Sequence, residues 1–201
     1  MERTEPIDEV LLALVAHGAE GDEAACAELY RRFSPPVLRL SVGLLGNSAD
    51  AEEVTQDTFV YALRNLRRYA PSRAAFSTWL YTIALSRCRN KRRRKLLTLL
   101  PLDELFATAA VEPVREVELA LERRGVRRRI WQALQSLPPR QREPVALRFL
   151  VGLRYREIGL AMGCNPKTAE SRVRLGLASM RRALEAGGVA EARELAEQWL
   201  A

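Results

Sequence analysis

This chain is poor in the residues that metal sites, disulfide frameworks and histidine catalysis require. Its 201 residues include three cysteines and one histidine. Cys26, Cys88 and Cys164 lie far apart, are odd in number and lack C-x-x-C spacing, so neither a disulfide framework nor a zinc site is expected. With His17 alone, no histidine-based catalytic set can be assembled. There is no Gly-rich phosphate loop, and the carboxylates stand apart from the basic stretches where a nuclease or phosphotransferase would hold its metal. The expectation is a protein that is not an enzyme, with no metal, no cofactor and no small-molecule substrate. No run approaches the roughly 18 apolar residues of a spanning helix. The first residues, MERTEPIDEV, have an acidic flank and no extended apolar region, unlike a secretory signal. A cytoplasmic protein without membrane insertion, its thiols reduced and mostly buried, is expected. Alternating runs long enough for a sheet are missing too, as are internal repeats.

What the chain does have is charge, in blocks. The net charge is +7 and the pI about 9.8, in the range of nucleic-acid binders. Residues 1–34 carry eight acids against three bases, and residues 47–63 carry four acids and no base. Seven of the nine residues from Arg87 to Lys95 are Lys or Arg. Residues 101–122 turn acidic again, and residues 126–184 hold thirteen Lys/Arg against three Glu. Two basic bodies thus flank an acidic connector. The expected organisation is a domain at 1–95, a linker at 96–124, a second domain at 125–185 and a tail at 186–201. A short helix around Leu195 and Trp199 fits the tail.

Helical periodicity dominates. Residues 8–17 and 22–33 are amphipathic. From Ala51, Val54, Thr58, Ala62 and Leu66 recur at helical spacing with Phe59 and Leu63 beside them, and Asn47 or Ser48 is placed to cap that helix. The fold class is all-α. On the same helix Asp50, Glu53 and Asp57 form one stripe with Gln56 beside it. Acids in a first turn are stabilised by the helix dipole at roughly 0.3–1 kcal/mol each. An acidic stripe is equally a contact surface for a basic protein partner.

The basic block continues the apolar, aromatic segment from Phe76 to Ala84. Charge grown on the end of a packed helix is presented in one pose, which suits a polyanion. Farther on, Leu137-Pro138-Pro139 precedes a helix read as Glu143 to Val151, ended by Gly152. A short helix, Tyr155–Met162, the turn Gly163-Cys164, and a longer helix opened by Asn165-Pro166 follow. That is the helix-turn-helix pattern. Ala169, Val173, Gly176, Leu177, Met180 and Leu184 share the inward side of the long helix. Lys167, Ser171, Arg174, Arg181 and Arg182 share the opposite side. The N-terminal part of such a helix enters the major groove, which assigns Lys167, Ser171 and Arg174 to base contact, flanked by Glu170 and Arg172. An amphipathic helix with a solvated basic face is the plainer alternative.

The residues Asp50-Ala-Glu-Glu-Val-Thr-Gln-Asp-Thr-Phe59, Phe76-Ser-Thr-Trp-Leu-Tyr-Thr-Ile-Ala84 and the basic block resemble region 2 of the extracytoplasmic-function (group IV) sigma factors. Leu137-Pro-Pro-Arg-Gln-Arg-Glu143, Tyr155-Arg-Glu-Ile158 and Thr168-Ala-Glu-Ser-Arg-Val173 resemble their region 4. The resemblance covers nearly the whole chain. It implies that Asp50, Glu53, Gln56 and Asp57 meet core RNA polymerase. It implies −10 promoter contacts, as melted single strand, from Tyr69, Ser72, Arg73, Phe76, Ser86, Arg87, Asn90, Lys91, Arg93 and Arg94, where aromatic stacking suits any base. It implies −35 duplex contacts from Asn165, Lys167, Thr168, Glu170, Ser171, Arg172 and Arg174. The acidic linker would lie along a polymerase channel that carries nucleic acid, and an anti-sigma factor would hold the free protein. Ser86, Glu170 and Leu175 depart from the family's usual Asn, basic residue and Arg, which bears on the promoter sequence preferred. Trp79 is expected in the core.

The 29 residues of the linker reach about 100 Å when extended, more than the roughly 70 Å between two promoter elements two duplex turns apart. A stand-alone helix-turn-helix regulator is the alternative. It accounts for the second body but not for the acidic stripe or the basic block of the first.

Overall fold

The computed structural model describes residues 9–98 and 121–186. Within them lie eight α-helices and one 3-10 turn, and no strand. Asp22 opens α2 (Glu23–Leu45) after α1 (Glu9–Glu20); its carboxylate accepts from the Ala24 and Ala25 N–H groups at 2.8 and 3.1 Å. The helix expected over 22–33 runs twelve residues further, through Pro35 and Pro36. Each internal proline costs about 3 kcal/mol. Phe33, Val37, Leu40 and Leu44 bury one continuous stripe, worth roughly 6–12 kcal/mol together, so packing overrides the local signal. Gly46, at φ +71°, ends α2. Asn47 caps α3 (Ser48–Arg64), its side-chain oxygen accepting from the Asp50 N–H at 2.9 Å.

A 3-10 turn (Leu66–Arg68) and a loop lead to α4 (Phe76–Thr98), which runs unbroken from the aromatic segment through the basic block. It extends past residue 95, into the segment read as linker. Residues 99–120 lie outside the described residues, as does the tail with Leu195 and Trp199. The chain resumes with α5 (Leu121–Ser136), α6 (Pro139–Phe149), α7 (Tyr155–Met162) and α8 (Pro166–Ala186). Pro139 occupies the first turn of α6, where its missing N–H costs nothing. Glu143, expected to open that helix, therefore sits at its centre and is buried. Asn165 caps α8 through the Thr168 N–H at 2.7 Å.

Helices α1–α4 form one bundle and α5–α8 another, and the two share a core. Leu29, Leu40, Leu44, Leu80 and Leu85 of the first are continuous with Ala146, Leu147 and Ile158 of the second. Helix α4 packs on α7, and α2 packs on α5 and α6. The last carbonyls of α2, which no helix bond can satisfy, accept from the second bundle. Gln135 donates to the Gly43 carbonyl at 2.8 Å and Arg142 to the Leu44 carbonyl at 3.3 Å. Charge blocks alone suggested two separate bodies; apolar burial joins them.

The helix-turn-helix is tight. A Cβ on Gly159 would stand 2.7 Å from the Cys164 carbonyl oxygen, so only glycine lets α7 close on the turn. Gly159→Ala is expected to cost about 1–3 kcal/mol, read as a lower urea midpoint. An unchanged midpoint would mean that the turn gives way freely.

Candidate nucleic-acid interface

Helix α4 divides its basic block among three directions. Leu80, Ala84, Leu85 and Cys88 point into the core. The next face meets α3: the Arg87 guanidinium lies 5.0 Å over the Tyr61 ring, and Lys91 Nζ is 2.5 Å from Glu53 Oε2 and 3.6 Å from Asp50 Oδ1. Lys95 also pairs with Asp50. The ascending order on α4 against the descending order on α3 makes the two helices antiparallel. Hydrogen bonding to Glu53 holds the Lys91 ammonium above its ordinary pKa. The third direction is the second bundle, where Arg89 and Arg92 converge on Glu143. Ser86, Asn90 and Arg93 remain on the outward side, Asn90 half-buried and the other two exposed.

The acidic stripe and the basic block, taken from sequence as separate surfaces, therefore face each other. Each pair has one member more than half exposed, Glu53 or Lys95, and one largely covered, Lys91 or Asp50; a fully exposed pair is worth about 0–1 kcal/mol. A partner of either sign can displace them cheaply. Gln56 and Asp57 stay exposed on α3. A shallow cavity of about 340 Å³ between the two helices is lined by Asp57, Val60, Tyr61, Arg64, Asn65 and Arg87.

The loop before α4 is built on aromatics. The Tyr69 hydroxyl donates to the Ala74 carbonyl at 3.1 Å, and its half-buried ring packs 5.3 Å from Phe76 and 5.5 Å from Trp79. Ser72 and Arg73 are exposed at the loop tip. Phe76 is 2% exposed, so it has no free face for a base; it supports Tyr69 instead. Trp79 is half-buried in the same cluster.

On α8, Ala169, Val173, Gly176, Met180 and Leu184 are buried, and Leu177 is half-buried. Lys167, Glu170 and Arg174 are exposed, with Thr168, Ser171 and Arg172 half-buried along their flanks. Leu175, 52% exposed, joins that face. The side-chain oxygen of Asn165 is engaged as the helix cap. Among the described residues no group of His, Cys, Asp and Glu could hold a metal ion, and no helix is long and apolar enough to cross a membrane.

Sequence reasoning missed Glu143, Arg89, Arg92 and Arg142 as a cluster. The available signal was a lone acid set among bases ahead of the apolar run Val145–Leu147. All three cysteines are free. Burial pushes the Cys88 thiol up to about 12, so native Cys88 is expected to resist iodoacetamide at pH 8 and react only in urea. Rapid native alkylation of Cys88, read by peptide mass, would mean that α4 detaches from its bundle.

Two family profiles match the chain: sigma-70 region 2 over residues 29–96 and sigma-70 region 4 over residues 127–180. The ECF RNA polymerase sigma factor SigE of Mycolicibacterium smegmatis is 34% identical across 88% of this chain and 69% of its own length. The ECF RNA polymerase sigma factor RpoE of Cereibacter sphaeroides is 32% identical across 80% of this chain and 86% of its own. Among solved structures, CnrH in complex with the cytosolic domain of CnrY has a TM-score of 0.65 at 24% identity, covering 87% of this chain and 96% of that one. RpoE in complex with the anti-sigma factor NepR from Bartonella quintana has a TM-score of 0.65 at 22% identity, covering 79% and 96%. These two likenesses bear on fold.

Proposed function

The chain belongs to the extracytoplasmic-function branch of the sigma-70 family, and from that premise we propose how its residues divide the work of transcription initiation. The observation that carries the reading is a pair of exposed polar faces in one chain, on α4 and on α8, each backed by a packed core. Asp50, Glu53, Gln56 and Asp57 bind core RNA polymerase; their pairing with Lys91 and Lys95 is weak enough to be exchanged for basic residues of the polymerase. Tyr69, Ser72 and Arg73 on the loop and Ser86, Arg87, Asn90, Arg93 and Arg94 on α4 handle the −10 element as single strand, with Lys91 freed once Glu53 turns to the polymerase. Lys167, Thr168, Glu170, Ser171, Arg172 and Arg174 on α8 read the −35 duplex, and Asn165 positions the start of that helix. Domains are 1–95, 125–185 and the linker between. The protein works in the cytoplasm as a non-enzymatic subunit, with an anti-sigma factor as its inhibitory partner; RpoE of Bartonella quintana, of the same fold, is seen with the anti-sigma factor NepR.

Core polymerase lacking any other sigma subunit, mixed with this protein on genomic DNA, is expected to yield discrete start sites. A stand-alone regulator would yield none. Charge reversal of Asp50, Glu53 and Asp57 together is expected to abolish co-elution with core polymerase at unchanged helicity; survival of the complex would refute the stripe's assignment. Arg174→Ala is expected to cost about 1–3 kcal/mol at the −35 duplex and to relax its base preference. Equal weakening on every sequence, measured by anisotropy, would make Arg174 a phosphate contact.

A further inference from the structure

The outward face of α8 is not polar throughout. Ala169, Val173, Gly176, Met180 and Leu184 form its buried stripe. At about 100° per residue, Leu175 stands within about 40° of the line opposite that stripe, as close as Lys167 and closer than Arg174 or Arg172. Ser171 and Ala178 lie about one turn to either side of it on the same line. Leu175 is 52% exposed and belongs to neither apolar cluster of the protein. It is the large apolar side chain of α8 that the fold does not use. An uncharged line, Ser171, Leu175 and Ala178, thus runs between edges that carry Lys167 and Arg174 on one side and Arg172 on the other.

Single leucines on a surface are ordinary; this one is marked by its place. A helix in the major groove presses its outward midline toward the base edges, while its flanks meet backbone phosphates. Leu175 follows Arg174 directly and stands one turn, about 6 Å, beyond Ser171, both of them residues assigned to bases. The groove floor consists of hydrogen-bonding edges, with one apolar feature, the C5-methyl group of thymine. Leucine has neither donor nor acceptor. Against a G·C pair it strips water from polar atoms and returns no bond. Against a thymine methyl it buries apolar area on both sides. The difference between those two outcomes is a sequence preference.

We propose that Leu175 reads a thymine methyl in the −35 duplex, and is a specificity-determining residue of α8 beside Arg174. This contact presupposes α8 as the −35 helix. With base pairs spaced about 3.4 Å apart, the thymine lies one or two pairs from the edge that Ser171 faces. The preference at that step is for the methyl group itself. It involves no phosphate and releases no counterion, so it holds its size when salt is raised, unlike the contacts of the flanking Lys and Arg residues.

The test uses the full-length chain, whose α8 face is open in the structure, and a pool of fluorescein-labelled duplexes with a random central segment. Selection with the unaltered chain is expected to enrich one motif that contains thymine. With Leu175→Ala, thymine at one step is expected to fall to background while the rest of the motif persists. Leu175→Met, which keeps an apolar tip, is expected to retain it. Deoxyuridine then replaces that thymine in the selected duplex and removes the methyl alone. Anisotropy is expected to show about fourfold weaker binding by the unaltered chain, the worth of one buried methyl, at low and high salt alike. Leu175→Ala is expected to bind the two duplexes equally. An identical motif from Leu175→Ala overturns the proposal, as does a deoxyuridine penalty that survives in that variant. The deoxyuridine comparison on the unaltered chain needs no variant, so an absent methyl effect overturns the proposal whatever the variants' helicity. A pool that yields no motif overturns the −35 reading itself, whereas a motif indifferent to Leu175 overturns only the thymine contact.

Discussion

A carboxylate that is 4% exposed stays charged only if its partners replace the water it has lost, and Glu143 does so with two guanidinium groups from another bundle. Removing one side of such a buried pair typically costs about 3–5 kcal/mol, because the other is left uncompensated. The shared apolar core supplies adhesion between the bundles, and this cluster supplies register. It fixes which turn of α4 faces α6. The same register lets Gln135 and Arg142 reach the open carbonyls at the end of α2, and sets Thr78 3.3 Å from Glu157 at the start of α7. Hydrogen bonding to Glu143 raises the Arg89 pKa, so Arg89 stays charged across the physiological range.

The basic block accordingly has a graded availability. Its outward residues, Ser86, Asn90 and Arg93, are open to a ligand in the closed chain. Lys91 is held by the exposed Glu53 and, with Lys95, by the largely buried Asp50. Arg89 and Arg92 are committed to the other bundle. A helix whose charges all faced solvent would attract any polyanion. Here one of the three settings, that of Arg89 and Arg92, ties the charge presented to whether the bundles are together, and the acidic stripe proposed for polymerase binding shares its partners with the surface proposed for the strand. Binding on one side therefore changes what the other side offers.

Much of this was legible in the residues. The short α7, the turn at Gly163 and the start of α8 at Pro166 follow from local chemistry, and the structure has them where that chemistry puts them; of the two candidate caps of α3, Asn47 and Ser48, it takes Asn47. The inward stripe of α8 follows from periodicity, with Leu177 only partly buried. The exceptions have one cause: tertiary contact. Helix α2 crosses Pro35-Pro36 because residues beyond them are buried against other helices. Phe76 sits beneath Tyr69 because four aromatic rings, with Phe33 and Trp79, pack together there. Glu143 is interior because α6 begins at Pro139 and its centre meets α4. Charge counts report how much charge a segment carries, and they are silent about which charge it will face.

The two bundles form one body in the free chain through the Glu143 clamp and its surrounding core. Small-angle X-ray scattering of the isolated protein tests it directly. A single-peaked pair-distance distribution is expected, with a radius of gyration near the roughly 17 Å of a compact chain of this length, expanding when Glu143 is replaced by Gln. A two-lobed distribution for the unaltered chain, of two bodies on a tether, would contradict it.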